Sequence, residues 1–345
     1  MSHNFYCEQL DLVVKSKVTI ALFVIKMIIC FVGLIAMILN VKYLGTRWVV
    51  HPNARVLYIA VLIFSFLICF QYSIMYSVDS YRFLTSTKYC DALISTRLSF
   101  ITLVFGICFE VSLVNIFLAM STERLIASLF PAYYEKIQTN TLGLSLIAIA
   151  LILEIPIIYG IVKYPIDWDE PSIAFSIITE DNQLEYKVLI IVMLSYEVIS
   201  IVIFHFVLIR NRQHALERYH NDLAVNYQKS ENMKMGLFFL PVYYCHFIIT
   251  IVYMGSFSVY SMVTPPEELA TFAIFAEYVA WTPLYASAMS LILYLTKRYY
   301  VRNQKKVNQK HSGSVFIPLD KLFQFQKAHK LSTVQLVMKR IFPCN

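Results

Sequence analysis

The chain is poor in charged side chains, since Asp, Glu, Lys and Arg make up 15% of its 345 residues. Soluble globular proteins carry roughly 25% of these residues. A soluble core needs a polar surface around it, and this sequence has too few charges to form one. With 58% hydrophobic residues, much of the chain must have lipid as its solvent. The composition argues against an ordinary soluble enzyme. It also argues against nucleic-acid binding as the explanation of the +7 net charge.

Catalytic and metal-binding motifs are also missing from the sequence. It has no Gly-rich phosphate loop, no His-Glu-x-x-His pair, no Cys-x-x-Cys pair and no Gly-x-Ser-x-Gly element. Eight Gly and eleven Pro residues are too few for a collagen-like or low-complexity chain. Asn-x-Ser/Thr sequons are absent, so we expect no N-glycosylation. We therefore expect a protein that is not an enzyme and that needs no cofactor or metal.

Long apolar runs recur along the chain. Each is long enough for a helix that crosses a bilayer, which needs about 20 mostly apolar residues, and none alternates as a barrel strand would. We predict seven transmembrane helices, at residues 18–40, 56–78, 98–120, 141–162, 188–209, 235–260 and 270–296. The predicted fold class is therefore an all-α membrane protein, a bundle of seven transmembrane helices.

The charges between the spans predict the orientation of the bundle. Of the 29 Lys and Arg residues, 21 lie in the segments 41–55, 121–140, 210–234 and 297–345. Positively charged loops stay in the cytoplasm, so we predict an extracellular N-terminus and a cytoplasmic C-terminus. The predicted domains are an extracellular segment at 1–17, a seven-transmembrane domain at 18–296 and a basic cytoplasmic tail at 297–345. The start of the tail is rich in Lys and Arg, which indicates contact with anionic lipid headgroups.

Ionisable side chains lie inside the predicted spans, and at that depth they usually face a protein or water-filled interior. At about 1.5 Å per residue, all four glutamates within spans fall in the outer half of the bilayer or near its midplane. That distribution suits a cavity open to the outside, and we select Glu110, Glu197 and Glu277 as candidate ligand-pocket residues. The fourth is Glu154. Hydrogen bonding between helices and a proton relay are the alternative interpretations.

Two of the seven cysteines, Cys7 and Cys90, lie on the predicted outer side of the membrane. Disulfides persist in oxidising compartments, and two thiols are the minimum for one bridge. We therefore predict a Cys7–Cys90 disulfide that ties the N-terminus to the outer end of the third helix.

Short motifs beside the spans resemble those of a known receptor family. Glu123-Arg124 ends the third span in the manner of the acidic-Arg switch of G-protein-coupled receptors. The other motifs are His51-Pro52-Asn53 before the second helix, Asp79 to Phe83 and Cys90-Asp91 before the third, Tyr134-Glu135-Lys136 after it, and the Tyr227, Gln228, Glu231 and Asn232 pattern before the sixth. Together they resemble the nematode serpentine chemoreceptors of the Sra superfamily, most closely class alpha/beta (Srab), over roughly residues 20–300.

The resemblance implies a chemosensory receptor that binds an external small molecule in the helix bundle and activates a heterotrimeric G protein. It implies that Glu123 holds Arg124 in the inactive state and releases it towards the G protein. Tyr227, Gln228, Glu231 and Asn232 belong to the same switch by this resemblance. The segment 210–234 is charged and free of Gly and Pro, so it could extend the fifth and sixth helices as a docking surface. The implied location is the plasma membrane, in the cilia of sensory neurons.

The sequence departs from the family pattern at several places. Ala224 and Asn226 occupy positions where Ser and Arg are common, and segment 163–187 lacks the cysteine that usually pairs with one at the top of the third helix. The Asn-Pro-x-x-Tyr switch of rhodopsin-like receptors does not occur near the inner end of the seventh span either, so the details of that activation switch are not transferred to this chain. Two other classes remain as alternatives: a ligand-gated ion channel subunit of the insect odorant-receptor type, whose N-terminus lies inside, and a proton-coupled transporter.

Overall fold

The apolar runs of the sequence form long helices. A computed structural model describes residues 7–8, 10–11, 13–14, 16–47, 51–86, 89–134, 136–137, 139–163, 168, 171–172, 183–216, 223–263, 271, 274–275, 278, 281 and 284–295. Its long helices are α1 (Lys17–Arg47), α2 (Pro52–Thr85), α3 (Thr96–Leu129), α4 (Thr141–Val162), α5 (Gln183–Leu216), α6 (Leu223–Val263) and α7 (Leu284–Leu295).

Six of these helices, α1 to α6, are long and apolar enough to cross a membrane, and α7 is a shorter apolar helix. The predicted all-α bundle of seven membrane helices is therefore confirmed. Within the described part of the chain, the seventh span is seen as a continuous helix only from residue 284 onwards. The orientation of the bundle stays a prediction, and the tail at 297–345 lies outside the described residues.

Several helices extend beyond the predicted spans. Helix α3 continues to Leu129, and α6 begins at Leu223, well before the predicted apolar run. These ends carry charged residues, as expected for helix segments that extend beyond the hydrocarbon, where the helix needs no apolar surface. Residues 217–222, between α5 and α6, lie outside the described part of the chain.

Local sequence explains where α2 and α3 begin. The His51 imidazole accepts a hydrogen bond from the Asn53 N–H, and Pro52 occupies the first turn, where its missing N–H has no helical partner. The Ser95 hydroxyl accepts a bond from the Leu98 N–H at the start of α3. These caps satisfy backbone donors that helix starts leave unpaired.

Helix α3 packs against α2, α4, α5 and α6 and so lies at the centre of the bundle. In the most apolar stretch of α2 and in that of α3, more than half of the residues are buried, compared with 17% in the corresponding stretch of α4. Large apolar side chains such as Ile152 and Ile155 on α4 are more than 60% exposed, as expected for a surface that faces lipid. The residues described below as sites lie on α3 and on the helices packed around it.

The end of the bundle at which α3 begins carries a small cross-linked cap. A 3₁₀ turn at Tyr89–Ala92 leads into strand β1 (Ile94–Ser95), which pairs antiparallel with β2 (Pro171–Ser172). Arg82 donates from Nε to the Ala92 carbonyl at 2.8 Å. The structure joins Cys7 to Cys90 by a disulfide, with Cα atoms 4.9 Å apart. The N-terminal segment is thereby held against the start of α3.

Candidate functional site

Arg124 lies near the C-terminal end of α3 and is fully buried, with 0% of its surface exposed. A buried guanidinium is tolerated only when its charge and its N–H groups find partners. Its Nε and Nη2 atoms each donate to a Glu123 carboxylate oxygen at 2.5 Å. Such a two-point contact is the strongest geometry available to an Arg–carboxylate pair. The structure thus places the Glu123 carboxylate against the Arg124 guanidinium.

Arg124 also binds α6, which is more than 100 residues away in the sequence. Its Nη1 atom donates to Asn232 Oδ1 at 2.9 Å and lies 3.8 Å from Glu231 Oε1. Both α6 side chains are buried. One guanidinium therefore connects α3 to α6 through an amide and a second carboxylate.

Two further residues complete this group of side chains. Tyr134, in the single helical turn Pro131–Tyr134 after α3, donates its hydroxyl to Glu123 and accepts a bond from Arg124 Nη2 at 3.1 Å. The His51 backbone N–H donates to Glu231 Oε1 at 2.9 Å, and its ring packs on Tyr134 with centroids 4.0 Å apart. We call Glu123, Arg124, Tyr134, Glu231, Asn232 and His51 the inner network.

Burial controls the protonation of the two ring side chains in the inner network. Burial, reinforced by the negative charge of Glu123, raises the pKa of Tyr134 well above its ordinary value. Burial lowers the pKa of His51, although Glu123 and Glu231 oppose that shift. The Tyr134 hydroxyl therefore keeps its proton as a donor, and the neutral form of the His51 imidazole is favoured.

Sequence reasoning selected four of the six members of the inner network and missed Tyr134 and His51. Both lie in motifs that carried the family resemblance, but an aromatic or a histidine beside a helix end has no chemical signature of its own. The predicted switch residues Tyr227 and Gln228 lie in the first turns of α6. Their side chains lie outside the described set.

A narrow crevice lies between α3, α5, α6 and α7, farther along the bundle from the inner network. The free space at its centre is about 10 Å³, which admits no more than about one water molecule. Its lining combines one carboxylate, polar rings and apolar side chains, among them Glu110, Met193, His246, Thr250, Tyr253 and Tyr285.

The predicted pocket glutamates differ in their relation to this crevice. Glu110 lines it and accepts a hydrogen bond from the Tyr72 hydroxyl at 2.6 Å. Glu197 lies behind it on α5, with Oε1 3.0 Å from Nδ1 of His246. Glu277 lies outside the described residues. Glu154, which was not selected, accepts a bond from the Ser112 hydroxyl at 2.5 Å and connects α4 to α3 instead.

Aromatic side chains connect the crevice to the interior of the bundle. The His246 ring lies 5.2 Å from the Phe117 ring, and Phe117 lies 4.6 Å from Tyr243, between ring centroids. The Tyr243 hydroxyl donates to the Phe117 carbonyl at 2.7 Å. Movement of α6 relative to α3 at the crevice must therefore disturb contacts that lead towards the inner network. Within the described ranges, no three His, Cys, Asp or Glu side chains come together as metal ligands.

The family model of the serpentine type 7TM GPCR receptor class ab chemoreceptors (Srab) matches residues 4–327. The chain belongs to this family. The match spans all seven helices, the inner network and the crevice, so the family predicted from the motifs is confirmed. This Srab protein is therefore a multi-pass membrane protein of a chemosensory G-protein-coupled receptor family, a class of receptors rather than of enzymes. No curated protein matches the chain.

Proposed function

We propose that this Srab receptor binds an external small molecule between α3, α5, α6 and α7 and activates a heterotrimeric G protein from the cytoplasmic ends of α3 and α6. One observation carries the proposal: buried Arg124 is shared between Glu123 on α3 and the pair Glu231 and Asn232 on α6. A switch of this kind alternates between two arrangements of the helices that differ in their contacts. The arrangement in which the Arg124 guanidinium binds both α3 and α6 is one of the two.

The described arrangement corresponds to the closed state in this proposal. Arg124 is 0% exposed, so a cytoplasmic protein has no access to it. Separation of α6 from α3 would remove Asn232 and Glu231 from the guanidinium and open a docking surface between the helices. A ligand promotes that separation only to the extent that it binds the open state more tightly. Contacts of His246 with Phe117 supply a route, since they join the same two helices at the crevice.

The proposal places the N-terminus outside the cell and the basic tail in the cytoplasm. The unequal distribution of Lys and Arg supports this orientation, as does the position of the Cys7–Cys90 disulfide on the opposite side from the inner network. The family supports a plasma-membrane location, and we propose sensory cilia as the site of action. Membership of a G-protein-coupled receptor family favours this function over the channel and transporter alternatives.

The test measures guanine-nucleotide exchange on a panel of G proteins by membranes that contain the full-length receptor without added ligand. The double variant Glu231→Gln with Asn232→Ala removes the α6 partners of Arg124. Hydrogen bonds to a charged group contribute roughly 1.5–3 kcal/mol, which corresponds to about a tenfold or larger shift towards the open state. We expect basal exchange to rise several-fold, and to return to background when Arg124→Ala is added.

Asn211→Ala supplies the matched control. Asn211 is a buried asparagine at the cytoplasmic part of α5, and its amide donates to the Val207 carbonyl of its own helix at 2.7 Å. Its loss leaves the bond between α3 and α6 intact, so exchange stays at the wild-type level. The proposal fails if the double variant reaches the cell surface normally and no G protein of the panel responds to it.

A further inference from the structure

Glu231 on α6 is held by the start of α2 as well as by Arg124. The His51 backbone N–H donates to Glu231 Oε1 at 2.9 Å, and the same oxygen lies 3.8 Å from Arg124 Nη1. Glu231 is buried, and a buried carboxylate needs hydrogen-bond donors as well as a positive charge. The His51 backbone is therefore a second attachment point for α6, separate from the guanidinium. We call residues 51–53, which contain it, the 51–53 segment.

The 51–53 segment is a stiff piece of backbone. The Pro52 ring fixes its own φ angle and confines the preceding residue to β or polyproline backbone, as observed for His51 with φ −50° and ψ 138°. The His51 imidazole accepts a bond from the Asn53 N–H, and its carbonyl accepts the first helical bond, from the Arg55 N–H at 3.1 Å. A displacement of Asn53 is therefore transmitted to the His51 N–H that binds Glu231.

Asn53 in turn caps the start of α4. A helix start leaves N–H groups without helical partners, and the side chain of the residue before the helix usually accepts from one of them. In the described part of the chain, Asn140 precedes α4 and its side chain makes no such bond. The Asn53 Oδ1 atom on α2 accepts instead from the Gly143 N–H at 3.0 Å. Asn53, which is 0% exposed, thus supplies the cap of a different helix.

The contact between α2 and α4 depends on the absence of a side chain at Gly143. An added Cβ would lie 2.8 Å from the Asn53 carbonyl oxygen and 3.1 Å from the Asn53 Cα. Both are backbone atoms, which cannot rotate away as a flexible side chain does. Even alanine at this position would therefore require the start of α4 and the start of α2 to move apart. The start of α4 thus determines where the 51–53 segment lies against Glu231.

We propose that the 51–53 segment is a second restraint on α6, and that Asn53 on α2 and Gly143 on α4 are positioning residues that act on α6 through the His51 N–H. Movement of the start of α4 relative to α2 then loosens α6 while Arg124 and Glu123 remain paired. The inference rests on the proposed function and deepens it, because it adds a way to regulate the closed state from helices other than α3.

Two measurements on the full-length receptor test this inference. The first is hydrogen–deuterium exchange of the His51 amide in purified receptor in lipid nanodiscs, since a bonded amide exchanges only when its bond opens. The second is basal guanine-nucleotide exchange on the panel of G proteins. We expect Gly143→Ala to raise both rates several-fold, because the added Cβ displaces Asn53. Gly160→Ala is the matched control on the same helix, where no atom lies within 4 Å of an added Cβ, and both rates should stay at the wild-type level.

Two further variants and a double-mutant cycle separate positioning from a general loss of structure. Asn53→Ala removes the acceptor for the Gly143 N–H and should raise both rates as well, so it carries the test if Gly143→Ala fails to fold. Asn53→Asp retains an acceptor oxygen at two helix N-termini, where negative charge is favoured, and should keep both rates near the wild-type level. Gly143→Ala added to Glu231→Ala should raise nucleotide exchange no further, because both changes act on one attachment of α6.

The inference is overturned if the His51 amide exchanges at the wild-type rate in both Gly143→Ala and Asn53→Ala. It is also overturned if these variants leave nucleotide exchange unchanged while the Glu231→Gln, Asn232→Ala receptor is active, or if the effects of Gly143→Ala and Glu231→Ala add in full. If no variant activates any G protein, the proposed function fails. The hydrogen-exchange measurement then decides by itself whether Gly143 and Asn53 position the bond between His51 and Glu231.

Discussion

At the scale of single residues, Arg124 shows how a membrane protein holds a charge in its interior. The guanidinium has five N–H donors, and Glu123, Tyr134 and Asn232 accept from it within hydrogen-bond distance. Removal of one partner would leave part of a buried charge unsatisfied, and that is expensive. Each partner therefore contributes to the position of α6, although none of them is chemically unusual.

His51 makes the inner network sensitive to acid. Burial lowers its pKa, and Glu123, Glu231, Arg124 and Tyr134 face it from α3, α6 and the turn after α3. The unfolded chain, whose imidazole titrates near pH 6.5, therefore binds a proton more readily than the folded receptor. The stability that neutral His51 contributes is present above about pH 6.5 and is lost as the pH falls below it, by up to roughly 1.4 kcal/mol per pH unit.

The measurement compares thermal unfolding of wild-type and His51→Gln receptors between pH 8 and pH 5.5. The wild type should lose stability below about pH 6.5 more steeply than the variant. Equal slopes for the two proteins would contradict the assignment of this acid sensitivity to His51.

The motifs identified only some of the residues of the inner network. Glu123 and Arg124 are adjacent and charged at a helix end, so their chemistry is visible in the sequence. His51 contributes a backbone N–H and a ring face, and neither property depends on a pattern that sequence reasoning could detect. The glutamates show the same limit: the sequence places both Glu110 and Glu154 in the outer half of the bilayer or near its midplane, yet one lines the crevice and the other bonds Ser112.

At the scale of helices, close approach depends on small residues. Gly33 on α1 faces α2 and α7, where an added Cβ would collide with the Ser287 hydroxyl and lie 2.9 Å from the Cys69 sulfur. The Ser287 hydroxyl donates to the Ile29 carbonyl at 2.8 Å across the same contact. Association of membrane helices depends on such packing and on hydrogen bonds between helices, since lipid supplies no hydrophobic driving force.

Substitution of Gly33 should therefore destabilise the bundle. Overpacking of a filled interior costs typically 1–3 kcal/mol, so we expect Gly33→Val to lower the unfolding temperature and the amount of receptor at the cell surface. Gly160→Val on α4 is the control, because no atom lies within 4 Å of an added Cβ there. Similar losses for both variants would indicate a general effect of valine in these helices rather than a collision at α1.

At the scale of the whole molecule, the Cys7–Cys90 disulfide and the distribution of Lys and Arg both predict that the N-terminus lies outside the cell. We predict that an N-terminal epitope tag is accessible on intact cells and that a C-terminal tag becomes accessible only after permeabilisation. The reverse pattern would contradict the receptor orientation and would agree with the channel alternative.

The Cys7–Cys90 bridge closes a loop of 83 residues that contains α1 and α2. A loop of this length contributes about 4 kcal/mol by restriction of the unfolded chain, so Cys7→Ser and Cys90→Ser should each lower stability and the double variant should lower it no further. Peptide mapping under non-reducing conditions checks the bridge directly. Two free thiols, or losses that add in the double variant, would contradict it.

The sequence alone determined the class of this protein. Apolar runs of sufficient length form helices in lipid wherever they occur, because each helix satisfies its own backbone hydrogen bonds. That rule depends on local composition, so the seven helices could be predicted without tertiary structure. The receptor family could be predicted as well, because its motifs are short and local. The tertiary structure decided which carboxylate meets the crevice and which α6 residues meet Arg124. Those contacts depend on how each helix is rotated about its axis against its neighbours, and the packing of all the helices together sets that rotation.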